Sequence, residues 1–284
     1  MAGTLYVVAT PIGNLADLTP RGRTTLSETA IIACEDTRRL RKLMSLLGLT
    51  GPAGQRLVAC HEHSEAGVVP QLIEALQSGA DVALVSDAGT PLLSDPGHLL
   101  VKAAWQAALR VVPVPGPSAV LTLLSACPLP AMPWAFHGFL PTRGGRRRSQ
   151  LSQLLARPEA TVLFESPHRI LQTLEDLAEL APERPLFLGR ELTKRYEHFY
   201  LGTATELAAQ LQAADAARGE FALLISAALE SDGPVDPAQH EVFKLLVQEL
   251  GPSRAAKLMA KLSERSRSEL YDEALRLRGA GKDA

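Results

Sequence analysis

The chain reads as an α/β protein built on a mostly parallel sheet, and three observations carry that reading. Short apolar runs alternate with amphipathic segments in the order β-α-β-α-β-α-β-α-β up to Val114. Two of those runs, Val82-Ala83-Leu84-Val85 and Val111-Val112-Pro113-Val114, drop into turns rich in glycine and proline. The turns are Ser86-Asp87-Ala88-Gly89-Thr90-Pro91 and Pro115-Gly116-Pro117-Ser118-Ala119. Loops at the carboxyl ends of parallel strands are where open α/β sheets bind ligands, so the two are expected to share one cleft. The composition agrees. With 284 residues, 46% hydrophobic and 21% charged, the chain has material for two cored domains and a small third.

Residues 4–9, β-branched, aromatic and apolar, make the first strand, which ends in the turn Thr10-Pro11-Ile12-Gly13-Asn14. Neither a G-x-G-x-x-G fingerprint nor a Walker A sequence is present. Thr19 caps a helix with Pro20 at its first position. Ile31-Ile32-Ala33-Cys34 is the second strand and runs into Glu35-Asp36-Thr37-Arg38. Residues 38–47, basic on one face and apolar on the other, form a helix. A third strand over residues 57–60 ends at His61-Glu62-His63. That spacing does not fit H-E-x-x-H, so the triplet is read as loop or cleft lining and no metal is expected. Helices over residues 68–77 and 98–108 follow, on either side of the Val82–Val85 strand.

Beyond the Pro115-Gly116-Pro117 turn, residues 119–126 form a helix of small residues, and Pro128, Pro130 and Pro133 interrupt the chain. A strand over residues 134–140 restarts it, which puts the boundary between domains near residues 113–118. The alternation then continues less regularly, with strands expected at residues 161–164, 186–188, 198–201 and 221–226. Helices are expected at residues 149–155, 169–180 and 204–214. Residues 231–237 are a linker by composition, and the rest is an all-helical tail whose Gly251-Pro252-Ser253 break resembles a helix-turn-helix. The expected domains are therefore residues 1–114, 115–230 and 236–284.

A net charge of −2 excludes a global basic field, so any nucleic-acid contact must be local. The densest positive stretch, Arg143-Gly144-Gly145-Arg146-Arg147-Arg148, is read as a loop near the cleft mouth. Trp134, Phe136 and Phe139 beside it are the candidates for stacking on bases, although core packing is the commoner fate of such residues. Cys34, Cys60 and Cys127, odd in number and set in apolar stretches, read as buried thiols of a reducing cytoplasm. No secretory signal is expected, and no apolar run reaches the ~18 residues of a membrane span.

Short motifs now accumulate in register. They are Leu5-Tyr6-Val7-Val8-Ala9-Thr10-Pro11-Ile12-Gly13-Asn14, Cys34-Glu35-Asp36-Thr37-Arg38, and His61-Glu62-His63-Ser64-Glu65. Val85-Ser86-Asp87-Ala88-Gly89-Thr90-Pro91-Leu92-Leu93-Ser94-Asp95-Pro96-Gly97 follows, then Pro115-Gly116-Pro117-Ser118-Ala119 and Gly138-Phe139-Leu140-Pro141. Phe164-Glu165-Ser166-Pro167-His168-Arg169 and Arg190-Glu191-Leu192-Thr193-Lys194 complete the set. In this order the chain resembles the ribosomal RNA small-subunit methyltransferase I family. The resemblance implies a fold like the tetrapyrrole (precorrin) methylases, two α/β domains with the cofactor cleft between them, followed by the small helical module. It implies methyl transfer from S-adenosylmethionine to the ribose 2′-oxygen of a cytidine in 16S rRNA. It also implies a cytoplasmic homodimer that works on the small ribosomal subunit.

Carried over position by position, the resemblance assigns the cofactor to Pro11, to Ser86, Asp87, Ala88, Gly89 and Thr90, and to Ser118 and Ala119. The wider superfamily often has Gly-Asp-Pro where this chain has Gly89-Thr90-Pro91, which leaves open the side chain that meets the amino acid end of the cofactor. Backbone amides at Gly89 and Ser118 suit the carboxylate and adenine edges, because loops entering helices present unpaired N–H groups. No one residue is singled out as the proton acceptor. The candidates are Asp87, Glu165 and His168, with Glu165 equally able to pair with Arg169 one helical turn on. RNA contact is expected from Arg143, Arg146, Arg147 and Arg148. Two alternatives stand beside this reading, a tetrapyrrole methylase using the same cleft and an RNA-binding relative without turnover.

Overall fold

The computed structural model describes residues 1–61, 63–227, 237–263 and 266–280. It divides into two compact units, Met1–Ala228 and Leu229–Ala284.

The first unit holds two sheets. Strands β1 (Thr4–Val8), β2 (Ile31–Cys34), β3 (Arg56–Ala59), β4 (Val82–Val85) and β5 (Arg110–Val114) pair in the order β3-β2-β4-β1-β5, parallel throughout. Strand side chains alternate between faces, and each face is covered by helices. Ile31, Ala33, Val82 and Leu84 pack with Leu72 and Leu76 of α3 (Glu65–Gln77) and Leu100 and Ala104 of α4 (His98–Gln106). Ile32, Cys34, Ala83 and Val85 pack with Leu26 of α1 (Pro20–Glu28) and with Leu40 and Met44 of α2 (Thr37–Leu46). The expected cap of α1 is made, since Gly22 N donates to Thr19 Oγ1 at 3.0 Å. Because every strand runs the same way, the loops after β1, β2 and β4, three neighbouring strands, open at one edge.

After α5 (Ala119–Ala126) the second sheet is mixed. Strands β6 (Trp134–Phe139), β7 (Ala160–Glu165), β8 (Leu186–Arg190), β9 (His198–Gly202) and β10 (Phe221–Ile225) lie in the order β6-β7-β10-β8-β9, and of these pairings only β6 with β7 is parallel. One face packs Leu163 and Leu223 against α6 (Gly144–Leu155), α7 (Ile170–Leu180) and α8 (Ala204–Ala213); the other packs Val162, Phe187 and Leu224 against α5.

One expectation needs correction. The arginine-rich stretch is the first turns of α6, which starts at Gly144 and not at Ser149. Arginine is a good helix former, and its side chains find acids on the neighbouring helix. Arg147 is 6% exposed and its Nε donates to Asp176 Oδ2 of α7 at 2.6 Å. Arg148 reaches Asp176 at 3.3 Å and Glu179 at 2.6 Å. Trp134 and Phe136 sit among the apolar side chains between α5 and the sheet, while Phe139 is 55% exposed. Cys34 and Cys60 are buried and Cys127 is half-buried.

The second unit is a helical module of α9 (Pro237–Leu250), α10 (Pro252–Met259) and α11 (Arg267–Ala280) around Phe243, Val247, Ala255, Met259, Leu270 and Ala274. Gly251 makes the break with φ +76°, and Pro252 opens α10. The expected linker up to Asp236, Glu62 of the histidine triplet, and Glu264 and Arg265 of the tail lie outside the described residues. No described helix is long and apolar enough to cross a membrane.

Candidate active site

Three loops that the sequence sets far apart are tied together by their own hydrogen bonds. Thr10 N donates to Gly89 O at 2.9 Å and Gly89 N returns the bond to Thr10 O at 3.0 Å. Thr10 Oγ1 donates to Ser86 O at 3.3 Å, and Thr90 Oγ1 donates to Pro117 O at 2.9 Å. The turns after β1, β4 and β5 thus form one ledge. Gly89 can serve here because its φ is +83° and because a Cβ would stand 3.2 Å from Ile12 Cγ2.

Above this ledge lies a cleft of about 440 Å³, within the range of small-molecule sites. Asp87, Ala88, Gly89, Thr90, Ser118 and Ala119 all line it, six of the positions expected to hold a cofactor. Pro11 and Ser86 do not line it. Both are buried, and the Ser86 hydroxyl donates within its own loop, to Ala88 O at 3.2 Å, so they hold the ledge up from behind. The Gly89 amide is likewise engaged with Thr10 and is not free to meet a carboxylate. Ser118 caps α5, accepting from Leu121 N at 3.5 Å, so the start of that helix, Ser118 and Ala119, borders the cleft.

The side of the cleft built on the first sheet is acidic. Asp87 accepts from Arg39 Nη1 at 2.8 Å and from the Asp36 amide at 3.2 Å. Glu35 and Asp95 join it. Burial, followed by the charge of Asp87, pushes Glu35 above the usual carboxylate range. Burial, with Glu35 and Asp87 adding to it, pushes Asp95 up to about 6. Asp36 turns away to cap α2 and is held down to about 2 by its hydrogen bonds from Arg38. The opposite side belongs to the second sheet and is largely apolar, with Phe139, Phe164, Leu192 and Phe221 beside the polar Glu165, Ser166 and Glu220. Phe139 and Phe164 meet edge to face with centroids 5.7 Å apart. Gly138 allows this: its φ is +60°, and a Cβ there would stand 2.7 Å from Ser94 Oγ on the facing loop.

Of the candidates for proton transfer, Asp87 faces the cleft. Glu165 borders it, but its carboxylate accepts from Ser166 N at 2.8 Å, Arg169 Nη2 at 3.0 Å and Thr173 Oγ1 at 2.8 Å, the bonds of a group anchoring the start of α7. His168 is exposed and is not part of the cleft. Glu35, Arg39 and Asp95 were not singled out from sequence. Glu35 and Asp95 stand inside quoted motifs, and only the fold shows that they converge.

Five carboxylates line the cleft; Glu165 is paired with Arg169 and Glu220 with Lys194, while Glu35, Asp87 and Asp95 share the one lining guanidinium, Arg39, which leaves negative charge beside an aromatic wall. That donor set fits a cation carrying a flat ring system, as S-adenosylmethionine does.

Residues 4–208 match the family model of Tetrapyrrole (Corrin/Porphyrin) Methylases, and residues 234–278 match that of the RsmI C-terminal HTH domain. A protein of Xylella fastidiosa (strain Temecula1) named ribosomal RNA small subunit methyltransferase I is 42% identical over 271 residues, covering 95% of this chain and 98% of its own. Its namesake from Pseudomonas aeruginosa is 41% identical over 282 residues, covering 98% and 99%. The chain belongs to the ribosomal RNA small subunit methyltransferase I family. As a member of that family it is a methyltransferase. Its fold is shared more widely. The uroporphyrin-III-C-methyltransferase of Thermus thermophilus aligns over 79% of this chain and 94% of its own with a TM-score of 0.54 at 21% identity. A structure of that enzyme complexed with S-adenosyl homocysteine aligns with a TM-score of 0.53 at 19% identity, over 78% of this chain and 97% of its own.

Proposed function

We propose that this methyltransferase transfers a methyl group from S-adenosylmethionine to the ribose 2′-oxygen of a cytidine in 16S rRNA of the small ribosomal subunit. The observation that carries the reading is the cleft, an acidic ledge of three joined loops facing an aromatic wall, in a chain alike from end to end to proteins named for small-subunit rRNA methylation. When bound there, the sulfonium cofactor supplies an electrophilic methyl group. Asp87, fixed by Arg39 and the Asp36 amide, holds negative charge at a set place on the ledge, and Glu35 and Asp95 add to it. Thr90 keeps the loop after β4 locked to the loop after β5, so the bound groups do not drift. Fixing two reactants in line is itself worth effective molarities of about 10⁵–10⁸ M. Phe139 and Phe164 form the aromatic side of the cleft toward the second sheet.

RNA contact in this reading falls to Arg143 and Arg146, both exposed at the start of α6, with the half-exposed Arg148 at the margin. Arg147 drops out, being buried on Asp176. The first turn of α6 carries no acid, so arginines crowd the positive end of a helix, an arrangement that favours an arriving phosphate. In this reading the protein works in the cytoplasm as a homodimer.

The test is methyl incorporation from labelled S-adenosylmethionine into small subunits lacking the modification, with free 16S rRNA and a precorrin alongside. Label on the ribose of one cytidine is expected. Cofactor binding with no label in any acceptor would reject the reading in favour of an RNA-binding relative without turnover, and label in the precorrin alone would favour the tetrapyrrole alternative.

A further inference from the structure

A second concavity, of about 450 Å³, lies between β6 and the outer face of α6. Its polar lining is His137, Arg146, Ser149, Gln150, Gln153 and Arg157, with no carboxylate among the residues that line it. Arg146 is exposed, and among the described residues no acid pairs with it. Arg157, its side chain 48% exposed, pairs with the half-buried Glu159 at 3.1 Å through one of its five N–H donors. Nε2 of His137 is buried without a hydrogen-bond partner. Burial and the nearby Arg157 hold this imidazole below its ordinary range, so at neutral pH it is an uncharged ring with an unmet polar atom. An unsatisfied buried polar atom is costly unless a ligand completes it.

Resting on the reading above, we infer that this groove seats one nucleotide of the substrate RNA next to the methylated one. The phosphate lies between Arg146 and Arg157, and the sugar hydroxyl or base edge meets His137 and the two glutamine amides. The placement follows from β6. His137 lines the groove and Phe139, two residues on, lines the cleft across the kink at Gly138, about 7 Å along the strand. The groove is on the α6 face of the second sheet and the Phe139–Phe164 wall on the α5 face, so RNA occupying both passes round the end of β6. The contact is thus made by residues spread over 20 positions of sequence, from His137 to Arg157, and not by the arginine run as such.

The test measures binding of a short single-stranded oligoribonucleotide and its deoxy counterpart across a salt series, together with the KM for small subunits. Replacing both guanidiniums (Arg146→Ala with Arg157→Ala) is expected to weaken RNA binding about tenfold or more and to flatten the dependence of log K on log salt by about one to two. Ser149→Glu, which puts a negative charge on an exposed helical position of the groove, is expected to act in the same direction. His137→Ala is expected to narrow the preference for ribose over deoxyribose. In each variant, S-adenosylmethionine affinity and melting temperature stay at wild-type values. Wild-type binding, salt slope and KM in both charge variants of an enzyme that methylates small subunits would overturn this inference alone. A wild-type protein that neither labels nor binds RNA would overturn it together with the functional reading.

Discussion

The cleft and the groove lie on the same compact unit and have opposite electrostatic character. The cleft gathers Glu35, Asp87 and Asp95 around one arginine, and burial, with the other two carboxylates adding to it, pushes Asp95 up to about 6. The groove gathers Arg146 and Arg157 with neutral amides and a hydroxyl. A methyl transfer from a sulfonium to RNA brings one cation and one polyanion to a single protein. Repulsion within each site is relieved by one of the two and aggravated by the other, so the charge that recruits each ligand also keeps it out of the other's seat. The net charge of −2, a balance over the whole chain, does not show this local division.

The sharpest way to break the comparison is at the neighbours Arg146 and Arg147. If basicity along the run were what mattered, the two would be equivalent. Arg147→Ala is instead expected to act on stability, since it strands the Asp176 carboxylate in the interior. Removing one partner of a buried pair costs about 3–5 kcal/mol, and the lower end applies because Arg148 still reaches Asp176 at 3.3 Å. Calorimetry should show the melting temperature of the first unit fall by roughly 6–12 °C. The salt dependence of RNA binding, measured below that transition, should not move. A normal melt with a flattened salt slope would return Arg147 to the RNA contact.

The next largest effect belongs to the ledge. Gly89→Val puts a β-branched residue at φ +83° with its Cβ 3.2 Å from Ile12 Cγ2, where Ile12 lines the cleft. Strain of this kind costs about 1–2 kcal/mol, and displacing the loop moves Asp87, Thr90 and the bridge to Thr10 together. Titration calorimetry is expected to show S-adenosylmethionine affinity reduced by about 10- to 100-fold, with oligoribonucleotide binding unchanged. An equal loss in both would mean that cleft and groove are not separate sites.

How much of this was legible in the sequence follows from the range of each signal. The strands of the first sheet are short apolar runs bounded by turns, a local pattern, and Ile31–Cys34 and Val82–Val85 stand where that pattern puts them. The ledge was legible as three glycine- and proline-bearing turns, because parallel strands bring such turns to one edge. What stayed hidden depends on partners distant in sequence. Nothing near Arg147 announces Asp176, and nothing near Ser86 announces that its hydroxyl donates back into its own loop. Arg157, nine residues past the arginine run and two beyond the end of α6, belongs to the groove only because three turns of α6 carry the chain along it. Even the start of α6 was missed for a local reason: two glycines and an arginine run read as a loop until Asp176 and Glu179 are supplied by α7.

The smallest expected effect tests the acidity of the cleft, at Asp95. Its carboxyl sits at about 6 against an ordinary 3.8, chiefly through burial. The folded state therefore binds this proton more tightly than the unfolded chain does. Stability from this group is fullest below 3.8, falls as pH rises from there to about 6, and above 6 the cost of the buried charge is present in full. A dry group so displaced would represent ~3 kcal/mol; solvent at this half-buried side chain reduces that to ~1 kcal/mol. Asp95→Asn removes the charge, so it should melt about 2–4 °C higher than wild type at pH 8 and lose that advantage by pH 4. The charge that destabilises the empty cleft is the one a cation needs. The same variant should therefore bind S-adenosylmethionine several-fold more weakly at pH 8, and wild-type affinity should drop toward the variant's as pH falls below 6. A variant that is more stable at pH 8 yet binds the cofactor as tightly as wild type would remove Asp95 from the cation's surroundings. That would leave Asp87 and Glu35 as the charges that set the cleft apart from the groove.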